Sequence, residues 1–281
     1  MPRRAVLAAV LGTAVALSAA APAGASVFIG SNLISTPDTA GACASVTCTA
    51  TNLALPHSKQ AYQGLQSPVN GTVTSWDYRS AAPGNPISLR VLHPNGGLSF
   101  TATGTTVSVP VLGGIRGEFA ADLPIKIGDS VGVNTTGAQI FASGIAGASQ
   151  ISWALPPLAE GQSRDGTTSP GVETLIRAIV QPTNTLRFAS IERNRKKGTA
   201  SVLVAVPNAG RLSYSGPNVT AIGPPSLDGP GAIRVLVKAR RTKRKRLRDK
   251  GVIHVIPKVT FQPVLGDVAT TPIKVKLIRN R

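Results

Sequence analysis

The sequence predicts an all-β protein built as two β-sandwich domains, and three observations carry that prediction. With 29 Gly and 22 Pro in 281 residues, and 42% hydrophobic but only 4% aromatic content, the chain describes many short strands and turns. A helical bundle or a long disordered tail has a different composition. Apolar residues recur at every second position over short stretches, which is the period of a half-buried strand. The charge is uneven: 30 Lys+Arg stand against 12 Asp+Glu, a net charge of +18, and most of the excess lies in the last hundred residues. The length favours two modest domains over one large core.

Residues 1–25 read as a cleaved signal peptide. Met1-Pro2-Arg3-Arg4 is a basic n-region, Ala5 to Ala21 is uncharged and rich in Ala, Val and Leu, and Ala23-Gly24-Ala25 is a small-residue cleavage site before Ser26. The stretch is short for a membrane anchor and runs at once into Pro22, and no other stretch approaches the length of a membrane helix. The expected mature chain therefore has no transmembrane segment and is secreted, either free or associated with the cell envelope. The only cysteines, Cys43 and Cys48, fit a disulfide in an oxidising exterior. Their spacing is not that of a redox or zinc motif, and His57, His93 and His254 are too scattered to complete a metal site. No metal and no cofactor is expected. Closing so small a loop contributes about 2 kcal/mol, enough to pin a loop but not to hold a fold.

The first domain is expected over 26–182. In Gly71–Arg79 the alternation puts Thr74, Trp76 and Tyr78 on one face and Val73, Ser75, Asp77 and Arg79 on the other. Ile87, Leu89 and Val91 alternate next, and Asn70-Gly71 and Pro94-Asn95-Gly96-Gly97 supply turn residues that tolerate positive φ. Further short runs follow at 98–103, 105–109, 116–127, 130–134, 139–142 and 173–180, a spacing that suits a sandwich or jelly roll. Residues 143–171, rich in Gly, Pro, Ser and Thr, read as a long loop crossed by a short strand or turn at Ile151-Ser152-Trp153.

The second domain is expected over 183–281. Residues 26–180 carry seven Lys/Arg and eight Asp/Glu, whereas 181–281 carry 21 and four. Such a step in charge marks a domain boundary and a surface for an anionic partner. Val202/Val204/Val206, Ile233/Val235/Val237, Ile253/Val255/Val259/Phe261 and Ile273/Val275/Leu277 each keep period two, giving about seven strands for a small sandwich. Between strands expected at 233–238 and 252–261 lies Lys238–Lys250, with nine cations in thirteen residues. It reads as a hairpin tip. Its bland role is a solvated, edge-protecting turn. Its sharper role is electrostatic contact with an anionic envelope or matrix polymer through Arg240, Arg241, Lys243, Arg244, Lys245, Arg246 and Arg248. The export signal argues against a nuclear address, and no aromatic residue interleaves with the run to stack bases, so no specific nucleic acid is expected.

Several stretches carry a resemblance. Ser67–Trp76, Ile87–Pro94, Leu123–Val133, Pro156–Arg164 and Leu175–Pro182 resemble a jelly-roll-like module of uncharacterised secreted actinobacterial proteins. Phe188–Ile191, Lys196–Ala200, Val204–Leu212 and the strands at 233–238 and 252–261 resemble an immunoglobulin-like module from the same kind of protein. The resemblance implies two β-sandwich modules and no catalytic residue. Many such proteins continue after the first module into an acidic stretch suited to calcium. Here Gln181-Pro182-Thr183-Asn184-Thr185 contains no acid, so no calcium-binding stalk is implied.

Enzyme signatures are missing. There is no G-x-S-x-G elbow, P-loop, G-x-G-x-x-G or H-E-x-x-H, and Asp77, Glu118, Asp122, Asp129, Glu160 and Asp165 show no pairing pattern of the kind glycoside hydrolysis needs. Asp129, after Gly128, reads as a turn residue, and His93 and His254 as surface residues. The expected function is therefore non-catalytic: binding or structural work at the cell surface or in the matrix, with the basic second domain contacting anionic polymers. The alternative is a carbohydrate-binding module acting through the first domain. In that case Trp153, in the loop before Pro156-Pro157, is the glycan-stacking candidate, its other role being a plug that anchors the loop, while Trp76 belongs to the core. Of the three N-x-S/T triplets, at Asn70, Asn134 and Asn218, the first is better explained as a turn.

Overall fold

The computed structural model describes residues 26–39, 41–56 and 63–280, so the expected signal peptide (1–25) and His57 lie outside the described residues. Regular structure in the described residues is strand, apart from one 3-10 turn at Gly41–Cys43 and one α-helix, α1 (Arg241–Lys250). The buried hydrophobic residues form two large clusters, one drawn from Val27 to Val180 and the other from Leu186 to Leu277.

In the N-terminal half, a five-stranded sheet runs in the order Gln63–Gly64, Val27–Gly30, Ile176–Pro182, Gly71–Ser80, Gly114–Ile125. It shares its core with a larger sheet centred on Gly84–Gly96, Ser130–Thr135 and Cys48–Ala54. Val27, Ile29, Val73, Trp76, Tyr78, Ala178 and Val180 from the first sheet meet Ile87, Leu89, Val91, Val131 and Val133 from the second. That is the sandwich-like arrangement the alternation predicted. One face assignment is corrected. Thr74 has no residue opposite it on the strand Ile176–Pro182, where Ser75 pairs with Ile179 and Val73 with Val180. This extra residue breaks the alternation, so Val73 joins Trp76 and Tyr78 in the core and Thr74 is exposed. Trp76, Tyr78 and Phe119 form a ring cluster with centroids 5.2–6.1 Å apart.

The expected long loop at 143–171 contains three strands: Ser149–Ala154 pairs with Cys48–Ala54 and with Thr167–Pro170, and Ser163–Asp165 pairs with Ser99–Thr105. Thr167–Pro170 and Ser163–Asp165 lie at sheet edges and are largely exposed, so they carry no apolar face to reveal them. The turn at Asn95-Gly96-Gly97 is as expected, with φ of 105° and 57° at the two glycines. Cys43 and Cys48 form a disulfide with Cα atoms 5.2 Å apart, both residues buried.

In the C-terminal half, one four-stranded sheet runs in the order Arg187–Asn194, Thr199–Val206, Gly231–Ala239, Val219–Ile222. A second runs Ser226–Leu227, Gly210–Ser215, Lys258–Pro263, Ala269–Pro272, and Val252–Val255 pairs separately with Val275–Ile278. All the period-two positions read from the sequence are buried in the second core. Two expectations are corrected. The strand expected at 252–261 is two strands, which break at Ile256-Pro257, because proline lacks the N–H that a continuous ladder needs. The basic run is not a hairpin tip. The strand Gly231–Ala239 pairs with Thr199–Val206 and Val219–Ile222, not with Val252–Val255, and the connection is the helix α1.

The two halves are joined by more than chain continuity. The Asn70 N–H donates to Asn208 Oδ1 (2.7 Å), and Asn208 Nδ2 donates back to the carbonyls of Asn70 (3.0 Å) and Thr183 (2.8 Å). Asn70 Nδ2 donates to the Pro207 carbonyl (2.7 Å), and the Ile127 N–H donates to Asn70 Oδ1 (3.1 Å). Leu265 of the C-terminal half packs against the N-terminal core.

Candidate functional site

Helix α1 forms against its electrostatics. Lys and Arg are good helix formers, but like charges at (i, i+4), as in Arg241/Lys245, Arg244/Arg248 and Arg246/Lys250, each cost about 0.2–0.5 kcal/mol. The first turn holds no acid, although the positive end of the helix dipole favours one. The N-cap, Arg240, is extended and makes no side-chain cap, and Arg241 has φ 45°, in the left-handed region. The helix is held by packing and by its far end. Leu247 is buried in the second core, and Gly251, at φ 72°, returns its N–H to the Leu247 carbonyl at 3.0 Å.

Around the N-terminal end of α1 lies a cavity of about 460 Å³. Six cations from three separate stretches of sequence line it: Lys196 and Lys197 from a turn, Lys238, Arg240 and Arg244 from a strand end and the helix that follows it, and Arg279 near the C-terminus. No Asp or Glu is among its lining residues. A second cavity, of about 580 Å³, shares Lys197, Thr199 and Lys238 with it, so the two form one groove over the outer face of the sheet. The single acid of the second cavity, Glu192, is paired with Arg234 at 2.7 Å. Concentrated positive charge in a concave site raises the local concentration of anions.

Of the seven cations singled out in the sequence, Arg240 and Arg244 line the groove. Lys243 is half-buried, and Arg241, Lys245, Arg246 and Arg248 are exposed on the helix outside the groove lining. Sequence reasoning missed Lys196, Lys197, Lys238 and Arg279 as members of the site. The available signal was the pair Lys196-Lys197 before Gly198 in a turn, but only strand pairing brings that turn to the helix.

Trp153 is a plug beneath its loop and not a glycan platform. It is 2% exposed, its Nε1 donates to the Arg164 carbonyl (3.0 Å), and its ring meets Phe100 edge-on at 5.5 Å. Gly166 lies so close that a Cβ there would fall 2.8 Å from the indole. The loop packs down on the ring because burying the indole is worth more than exposing it. Trp76 is also fully buried.

Three acids of the N-terminal half, Asp77, Glu173 and Asp129, are held by neighbouring groups. Asp77 accepts from Arg177 and from the Glu118 N–H, and Glu173 accepts from Ser31 and Ser35. Asp129 caps its turn through the Lys126 N–H (2.8 Å), as its position after Gly128 suggested, and its Oδ1 also meets His93 Nδ1 at 2.6 Å. That His–Asp contact, across 36 residues of sequence, was not legible beforehand. It borders a cavity of about 310 Å³ with Thr101, Thr103 and Lys126. The Thr101 hydroxyl is taken by Asn95 and Ser163, and no hydroxyl is hydrogen-bonded to His93 among the described residues. Arg90 is buried beneath Glu160, and burial pushes its guanidinium below the ordinary value while Glu160 pulls it back up. No group of three His, Cys, Asp or Glu side chains that could hold a metal occurs among the described residues, and no described helix is long and apolar enough to cross a membrane. No protein-family model matches the chain, and neither a curated protein nor a solved structure matches it.

Proposed function

We propose that the protein is a secreted, non-catalytic binding protein of the cell surface or matrix, whose C-terminal half holds anionic polymers. One observation carries this reading: six cations from three separate stretches of sequence converge on one cavity with no acid in its lining. Cations placed for solubility alone spread over a surface. Gathering them repels them, and that cost is sustained where an anion relieves it. The unfavourable start of α1 points the same way. The disulfide suits an oxidising exterior, and the resemblance to secreted jelly-roll-like and immunoglobulin-like modules agrees with export and with the division of the cores near residue 183. With Trp153 2% exposed, the glycan-binding alternative has less support, since its stacking candidate is buried.

The test is a salt titration of binding to heparin as a generic polyanion. If the six lining cations all engage charges, log K falls linearly with log salt with a slope of about −4, taking about 0.7 per contact for a flexible polymer. Replacing Lys197, Lys238, Arg244 and Arg279 by Gln is expected to lower affinity at least tenfold and to flatten the slope by about 3. Unchanged heparin retention in that variant, with an unchanged melting temperature, overturns the proposal.

A further inference from the structure

The groove has a direction. Across the four-stranded sheet, Asn194 is paired with Thr199, Thr199 with Lys238, and Lys238 with Thr220. These four side chains form one row running perpendicular to the strands, and all four line the joined cavities. They project outward, because their neighbours Ala200 and Val237 are buried. At about 4.8 Å between strands, the row is about 14 Å long. It alternates an amide, a hydroxyl, an ammonium and a hydroxyl. At the Thr220 end stand Arg240 and Arg244, and at the turn Lys196, Lys197 and Arg279.

From this row we propose that the ligand of the groove is a single extended chain of base-free phosphodiesters, a polyol phosphate, lying across the strands. The inference rests on the polyanion reading above and narrows it. Hydroxyl, amide and ammonium donors in one line suit acceptor oxygens repeated along a thin chain. The lining contains no aromatic side chain, so it offers no stacking surface for the bases of a single-stranded nucleic acid. A polymer of pyranose rings lacks a platform for the same reason. A duplex is too stiff to follow a short concave groove, and a planar anionic membrane would be met first by the exposed cations of α1, which lie outside the groove lining. Lys238 is the central contact, since it belongs to both cavities and sits between the two threonines.

The test uses purified protein and four probes: poly(glycerol phosphate), oligothymidylate of matched charge, heparin, and phosphatidylglycerol vesicles. Two double variants separate groove from patch. Lys238→Gln with Thr199→Val alters the row, and Lys245→Gln with Arg248→Gln alters the exposed face of α1. The expected result is at least tenfold preference for poly(glycerol phosphate) over the other three probes. The row variant loses at least tenfold affinity and the preference with it, while the helix variant loses less than threefold, both at unchanged melting temperature. Equal affinity for oligothymidylate, heparin or vesicles, or equal losses in the two variants, overturns the polyol phosphate assignment and leaves general polyanion binding standing. No binding to any probe overturns both.

Discussion

Tyr214 donates its hydroxyl to the Pro224 carbonyl at 2.7 Å, and burial raises its phenol above the ordinary value. Because the folded state favours the protonated phenol, the stability it contributes is fully present below the unfolded value, near pH 10, and declines as pH rises beyond it. Tyr214→Phe is expected to cost about 1 kcal/mol at neutral pH through the lost hydrogen bond, and to weaken the loss of stability above pH 10 in denaturant titrations. A variant that keeps the wild-type alkaline slope refutes this assignment. Residues were legible in the sequence where one local pattern decided them. Two cysteines five residues apart in an expected exported chain had one natural partner each, and Trp76 and Tyr78 stood in an alternating strand. Asn208 was not legible, because nothing in its neighbourhood announces that it will be buried against Asn70, 138 residues away.

Strands were the elements the sequence disclosed best, since burial on one face imposes period two, and the buried sets around Val202, Ile233, Ile253 and Ile273 obey it. Edge strands such as Thr167–Pro170, exposed and without an apolar face, gave no such signal. Helix α1 was hidden for a different reason. Its only buried residue is Leu247, so there is no apolar stripe at helical spacing, and its charge reads as a turn between two strands. Leu247 therefore carries the attachment of the element. Leu247→Ala is expected to cost about 2–3 kcal/mol, at the lower end of buried Leu→Ala losses because the site lies at the edge of the core. It is also expected to weaken polyanion binding severalfold, because Arg240 and Arg244 lose their place in the groove. Thermal unfolding and binding measured on the same sample check both. Added polyphosphate is expected to restore part of the lost melting temperature, as binding to the native state alone must do.

Across the whole molecule, the step in charge near residue 181 was readable from counting, and it coincides with the gap between the two hydrophobic clusters. How the halves join was not readable, since it depends on Asn70 and Asn208 bonding each other and on Leu265 reaching the opposite core. Removing Asn208 leaves the part-buried Asn70 N–H and Thr183 carbonyl without their Asn208 partner, while the Asn70 carbonyl keeps the Thr183 N–H. Asn208→Ala is expected to cost about 1–3 kcal/mol and to split the calorimetric transition of the intact chain into two. A single, unbroadened transition in that variant shows that Leu265 and the connecting segment suffice to couple the halves. The Asn70–Asn208 clamp also has a mechanical consequence. Were a polymer held in the groove as proposed, tension on it would cross to the N-terminal half through the Asn70–Asn208 hydrogen bonds as well as through residues 183–185, as through a stiff bracket rather than a tether.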